Sequence, residues 1–184
     1  ISNGGTMTVT NTTIIGNSAT NNGGGIDNRT GSYGAGNPFF GTLTISNSTI
    51  SGNSASGSGG GIRNGGTTNL TNTTVSGNSA EGSGGGISNG GNLTLSKSRV
   101  SVNSASSGAG INNRPKGTVS INDSTIRDNS TFDDGGGISN DGTMTVTNTT
   151  IIGNSATNNG GGIDNWRGAY GAGNPFFGTL TRAC

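Results

Sequence analysis

The sequence predicts an all-β fold, a parallel β-helix solenoid with three short strands per coil and about seven coils. Three observations predict it. A GGGI-x-N motif or a close variant places Ile at 1, 26, 62, 87, 111, 138 and 163, at intervals of 25, 36, 25, 24, 27 and 25 residues. A fixed period of this length marks a stacked repeat in which each unit contacts only its neighbours. The composition agrees: 39 Gly, 27 Asn, 27 Thr and 24 Ser in 184 residues leave only 26% hydrophobic, too little for a large conventional core. Within each unit, apolar residues alternate with Thr or Ser at period two, and no 3.6-residue period survives the Gly, Asn, Ser and Thr that punctuate every few positions.

The elements follow in order. After each motif Ile comes a Gly-rich turn and then an alternating strand such as Thr6-Met7-Thr8-Val9-Thr10. Alternation turns Met7 and Val9 inward and Thr6, Thr8 and Thr10 outward. In register the inward pairs continue as Leu43 and Ile45, Thr68 and Leu70, Leu93 and Leu95, Val119 and Ile121, Met144 and Val146, with Thr68 as the one polar lapse. A polar step leads to a third strand supplying Ile14, Ile50, Val75, Val100, Ile126 and Ile151, followed at a turn by Ala19, Ala55, Ala80, Ala105, Thr131 and Ala156. About five inward residues cannot bury themselves in one unit. Stacked about 4.8 Å apart they form one continuous narrow core.

Asparagines mark the corners. Asn3, Asn28, Asn64, Asn89, Asn113, Asn140 and Asn165 stand two residues after every motif Ile, and Asn17, Asn53, Asn78, Asn103, Asn129 and Asn154 close the third strand. Both rows are expected to be turn ladders, because Asn tolerates left-handed backbone and its amide bonds the same amide one coil away. A looser row, Asn11, Asn47, Asn72, Lys97, Asp123 and Asn148, is expected to face outward.

The chain is expected to be a single solenoid, 1–184, that is a window on a longer array. Residues 138–181 repeat 1–44 with four differences, Gly4 to Asp141, Arg29 to Trp166, Thr30 to Arg167 and Ser32 to Ala169. The period is broken only by an insert at 29–40 that returns at 166–177. In the final stretch Arg182 replaces the inward residue, so the pattern is expected to stop there.

Composition also narrows function. With no histidine, Ser-His-Asp and Cys-His nucleophiles and His-ligated metals are excluded. A net charge of +1 without a basic run predicts no nucleic-acid partner, and the short apolar runs predict no membrane insertion. The lone Cys184 forms no internal disulfide. No enzyme activity, cofactor or metal is expected. The carboxylates Asp27, Glu81, Asp123, Asp128, Asp133, Asp134, Asp141 and Asp164 include one adjacent pair, Asp133-Asp134, which sits in a turn that solvates it or clamps calcium.

The GGGI-x-N turn followed by I-x-G-N-S-A resembles the short repeats of polymorphic outer-membrane proteins and related giant bacterial surface proteins. That resemblance covers essentially the whole chain and implies an exported right-handed β-helix acting as an adhesin or surface structure. Gly25, Gly61 and Gly86 stand where that family has Ala.

Two surfaces are candidate sites. Seven of the eight aromatics fall in the two inserts: Tyr33, Phe39, Phe40, Trp166, Tyr170, Phe176 and Phe177. They are read either as partner-binding residues on a rigid scaffold or as a cover folded over the solenoid flank. The outward ranks Thr6, Thr8, Thr10, Thr42, Thr44, Thr94, Thr143, Thr145 and Thr147 form a regular face of hydroxyls and methyls, as in ice-binding solenoids. The expected function is an extracellular or cell-surface structural and adhesive protein. It would stack with copies of itself end to end or laterally, with surface glycans as further partners. Ice binding is the alternative, and a polysaccharide-active β-helix enzyme the third reading.

Overall fold

A computed structural model describes residues 1–32, 38–166 and 179–183. They form an all-β solenoid of parallel sheets. The first sheet has seven strands, Ser2–Asn3, Ile26–Asn28, Ile62–Asn64, Ile87–Asn89, Ile111–Asn113, Ile138–Asn140 and Ile163–Asn165, paired in that order. The second is built from the alternating strands, from Thr6–Thr10 and Thr42–Ser46 through to Thr179–Ala183. The third runs from Thr13–Ile15 to Thr150–Ile152. The predicted three strands per coil are therefore present. A fourth, two-residue ladder from Ser18–Ala19 to Ser155–Ala156 occupies the corner that the alanines mark.

Register follows the period. Leu43, Thr68 and Leu93 pair in one column, and Ile62 sits between Ile26 and Ile87 in another. A one-residue slip would turn every Ile and Leu outward, so burial fixes the register. Eighteen buried apolar side chains form one cluster, among them Ile26, Leu43, Ile45, Ile62, Ile87, Leu95 and Ile121, all 0% exposed. The insert does not break the stack, because it leaves and re-enters between Asn28 and Thr42. Thr30–Ser32 pairs antiparallel with Pro38–Phe40, so the insert's described residues are the two arms of a hairpin projecting from the coil.

The polar residues inside the coil are held by repetition. In the first Asn row each Nδ2 donates to the Oδ1 of the next coil: Asn3 to Asn28 at 2.8 Å, Asn28 to Asn64 at 2.9 Å, and so on to Asn140 and Asn165 at 2.7 Å. In the second row each Asn Oδ1 accepts both the backbone N–H and the Nδ2 of the preceding Asn, as Asn78 does from Asn53, both at 3.0 Å. From Asn53 onward each Nδ2 there also donates to a carbonyl one coil back, Asn78 to Ile50 at 3.0 Å. The expectation of left-handed backbone fails for these two rows. Positive φ falls instead on the exposed third row, Asn11, Asn47, Asn72, Lys97, Asp123 and Asn148, at 46° to 51°. The buried rows sit in or beside strands, where the amide already satisfies the corner and no reversal of φ is needed.

Two further details explain apparent lapses. Thr68 is fully buried in an apolar column, yet its Oγ1 donates to Asn64 Oδ1 at 2.9 Å and accepts from Asn28 Nδ2 at 3.2 Å. It joins the amide ladder instead of breaking the core. The polar step between the second and third strands is a hydroxyl ladder: Ser98 Oγ accepts from the Thr73 N–H at 3.1 Å and donates back to the Ser96 carbonyl at 2.8 Å.

The last described strand keeps its pairing past Arg182. Thr179–Ala183 still pairs along Thr143–Thr147, with Arg182 opposite Val146. Ladder bonds use backbone groups, so an unsuitable side chain does not end the strand.

One residue breaks a local rule. Where four coils carry Gly16, Gly52, Gly77 and Gly153 and one carries Asp128 at φ 54°, Val102 adopts φ 57°. A β-branched residue there is strained by about 1–2 kcal/mol, and Val102 is 57% exposed, so little burial offsets it. Val102→Gly is expected to raise stability by about 1 kcal/mol, read from the denaturant midpoint.

Candidate functional site

The predicted aromatic site divides. Consecutive strand residues face opposite ways, and Phe39 and Phe40 do so. Phe39 packs on the flank: an added Cβ on Gly4 would lie 3.0 Å from its ring, and one on Gly31 2.5 Å. At Gly31 the ring leaves no room for a Cβ, while at Gly4 a Cβ would press on the ring's edge. Phe40 is 68% exposed, and Trp166, at the second insert, 49%. Tyr33, Tyr170, Phe176 and Phe177 lie outside the described residues. The flank cover and the outward aromatic are thus both present, on neighbouring residues.

The predicted threonine face is the outer side of the second sheet. Thr6 pairs with Thr42, Thr8 with Thr44, Thr118 with Thr143. Thr6, Thr8, Thr10, Thr44 and Thr143 are exposed, while Thr42, Thr94, Thr145 and Thr147 are half-buried. Asn69 and Ser120 interrupt the central rank.

Three features escape a linear reading, because each assembles from residues a coil or more apart. A trough of about 550 Å³ runs along the Ser-Ala ladder, floored by Ala55, Ala80 and Ala105, with the 86%-exposed Phe132 at its edge.

The second feature is acidic. Asp133, Asp134, Asp141 and Asp164 line a cleft of about 250 Å³ beside Trp166. Asp133 Oδ1 accepts from Asn158 Nδ2 at 2.6 Å, and Asp134 Oδ1 from the Asn159 N–H and Nδ2 at 2.9 and 2.8 Å. Among the described residues no three acidic or sulfur side chains converge closely enough to hold a metal ion. Burial first, and then Asp164, pushes Asp141 above the usual carboxylate range; burial, then Asp134 and Asp133, does the same for Asp164.

A carboxyl raised in the folded state binds its proton more tightly there than in the unfolded chain. The folded state is therefore favoured at acid pH, and stability falls as pH rises from the ordinary carboxylate value through the raised ones. The cluster is expected to place the thermal midpoint higher at a pH below the ordinary carboxylate value than near pH 7. Asp141→Asn should flatten that fall and raise the neutral-pH midpoint. The first copy carries Gly4 at this position, so the backbone accepts small replacements.

The third feature is basic. On the outer side of the first sheet, Asp27, Arg63, Ser88, Asn112, Ser139 and Asp164 form one row through their pairings. Asp27 binds Arg29 Nε at 2.7 Å and an Arg63 terminal nitrogen at 3.1 Å. Arg114 reaches back across two coils to Ser58 Oγ at 2.8 Å. Burial, then Arg63, holds Arg114 below its ordinary value. The row thus runs from Asp27 and Arg63, with Arg29 and Arg114 close by, to Asp164 in the acidic cleft.

Among the described residues no helix is long and apolar enough to cross a membrane. Comparison with protein-family models, with curated proteins and with solved structures finds no match for this chain.

Proposed function

We propose that the chain is a section of an extracellular structural and adhesive surface rod, without catalysis, that associates with copies of itself along the coil axis. The observation that carries this is the uniformity of the ladders. Equal modules lengthen a scaffold and repeat shallow surface features, whereas a catalytic centre needs one unique convergence of groups. Association along the coil axis fits a row of equal coils, whose cross-sections match one another. Exposed Phe40 and Trp166 supply adhesive contacts to glycans or to neighbouring rods, weak singly and strengthened by repetition along the array.

Sedimentation over a hundredfold concentration range tests this reading, with assembly that grows with concentration expected. A monomer at every concentration, or turnover of a polysaccharide by the purified chain, would overturn it. Ice binding remains a second reading because of the in-register exposed Thr6, Thr8, Thr10 and Thr44. Thermal hysteresis in a cooled solution would favour it over adhesion.

A further inference from the structure

The outer row of the first sheet carries an unmet hydroxyl. Ser88 is 1% exposed, and its Oγ is the buried side-chain polar atom without a hydrogen-bond partner among the described residues. Buried polar groups in folded proteins are almost always satisfied, so an orphan asks for a cause. Ser88 pairs in register with Arg63 on one side and Asn112 on the other. It lines a cleft of about 170 Å³ together with Arg63 and Arg114.

Arg63 and Arg114 are like charges in one small cleft. Asp27 accepts from both Arg29 and Arg63, so one carboxylate faces two guanidinium groups while Arg114 adds a third. Among the described residues the Arg114 guanidinium meets only the neutral Ser58 hydroxyl. The local balance is strongly positive in a chain whose net charge is +1. Each guanidinium carries five N–H donors, and the bonds to Asp27 and Ser58 use only part of them. Forked donors from two sides and a buried hydroxyl between them match a small oxyanion.

We propose that the cleft formed by Arg63, Ser88 and Arg114 binds a tetrahedral oxyanion, sulfate or phosphate, either free or carried as a substituent on a glycan. The anion accepts from both arginines and from Ser88 Oγ–H, satisfying the orphan and separating the two cations. Thr30 of the insert's first arm also lines the cleft, but the site uses no aromatic residue, so its failure would leave the rod reading intact.

The test titrates the whole chain with sodium sulfate against sodium chloride at matched ionic strength, following the backbone amide signals of Ser88 and Arg114 by NMR. Saturable shifts in sulfate alone are expected, and Arg114→Gln and Ser88→Ala should each weaken binding at least tenfold. Without sulfate, Ser88→Ala should be no less stable than the parent, because it deletes an unsatisfied hydroxyl. A sulfated oligosaccharide and its desulfated form make the second arm. Binding of the sulfated form that is lost in both variants assigns a glycan-borne group, and binding of sulfate alone assigns the free ion. Equal, unsaturable shifts in both salts, or unchanged sulfate binding by both variants, would overturn the proposal.

Discussion

Replacing Asn89 by Ala is expected to lower the unfolding free energy by about 4 kcal/mol. Asn89 is fully buried at the centre of the first ladder. Its Nδ2 donates to the Gly91 carbonyl at 2.9 Å, to Asn113 Oδ1 at 2.8 Å and to the Thr118 carbonyl at 3.2 Å, and its Oδ1 accepts from Asn64 Nδ2 at 2.7 Å. Removal strands acceptors on two coils, the Asn113 amide oxygen among them buried. Each buried group left unpaired costs about 1–3 kcal/mol, which is why the whole ladder matters more than any one bond. Asn89→Asp should be worse, since a buried carboxylate would face the Asn113 carbonyl oxygen with no donor between them. The exposed Asn158, bonded only to Asp133 in the solvated turn, provides the contrast: Asn158→Ala should change stability by less than about 0.5 kcal/mol. Urea midpoints for the three variants decide the matter, and similar losses for Asn89 and Asn158 would refute the ladder's role.

Ile87→Ala is expected to cost about 3–4 kcal/mol, because Ile87 is 0% exposed and stacked between Ile62 and Ile111. In a core one side chain deep, the neighbours are held by their own ladders and cannot collapse into the gap. Thr68→Val should by contrast fall within about 1 kcal/mol of the parent. Asn64 Oδ1 keeps the bonds from Asn28 Nδ2 at 2.9 Å and from the Gly66 N–H at 3.2 Å, and Asn28 Nδ2 keeps two backbone carbonyls. The new methyl replaces a hydroxyl in an otherwise apolar column. A large loss for Thr68→Val would mean that its hydroxyl, not the amides, anchors that corner.

The columns were legible in the sequence because a 25-residue period converts position into register without further information. Ile62 between Ile26 and Ile87, and Asn64 between Asn28 and Asn89, can be read from arithmetic alone. What arithmetic misses is depth. The residue after each motif Ile lies on the sheet face opposite the core, yet Asp27, Ser88, Asn112 and Ser139 are buried. The glycines before the Ile and the residue after the Asn close over that row, and no hydropathy pattern reports it. Arg114 is harder still to place, since its reach to Ser58 spans 56 residues and depends on side-chain length. The acidic cleft had a signal that register could have found: Ser139 pairs with Asp164, which sets Asp164 one coil from Asp141. Phe39 and Phe40 are adjacent and chemically equal. Only the hairpin's antiparallel pairing decides which of them covers the flank.

The central claim is a single stack of coils in unbroken register. Spin labels on the outer second sheet measure it, with Cys184→Ser removing the native thiol. Thr8, Thr44, Thr94, Ser120 and Thr145 share one column through consecutive pairings, with Asn69 between Thr44 and Thr94. Pulsed electron-electron distances from Thr8→Cys to Ser120→Cys and to Thr145→Cys should be narrow, at about 19 Å and about 24 Å along the axis, rising by about 4.8 Å per coil. Broad distributions, or distances that do not increase coil by coil, would contradict it.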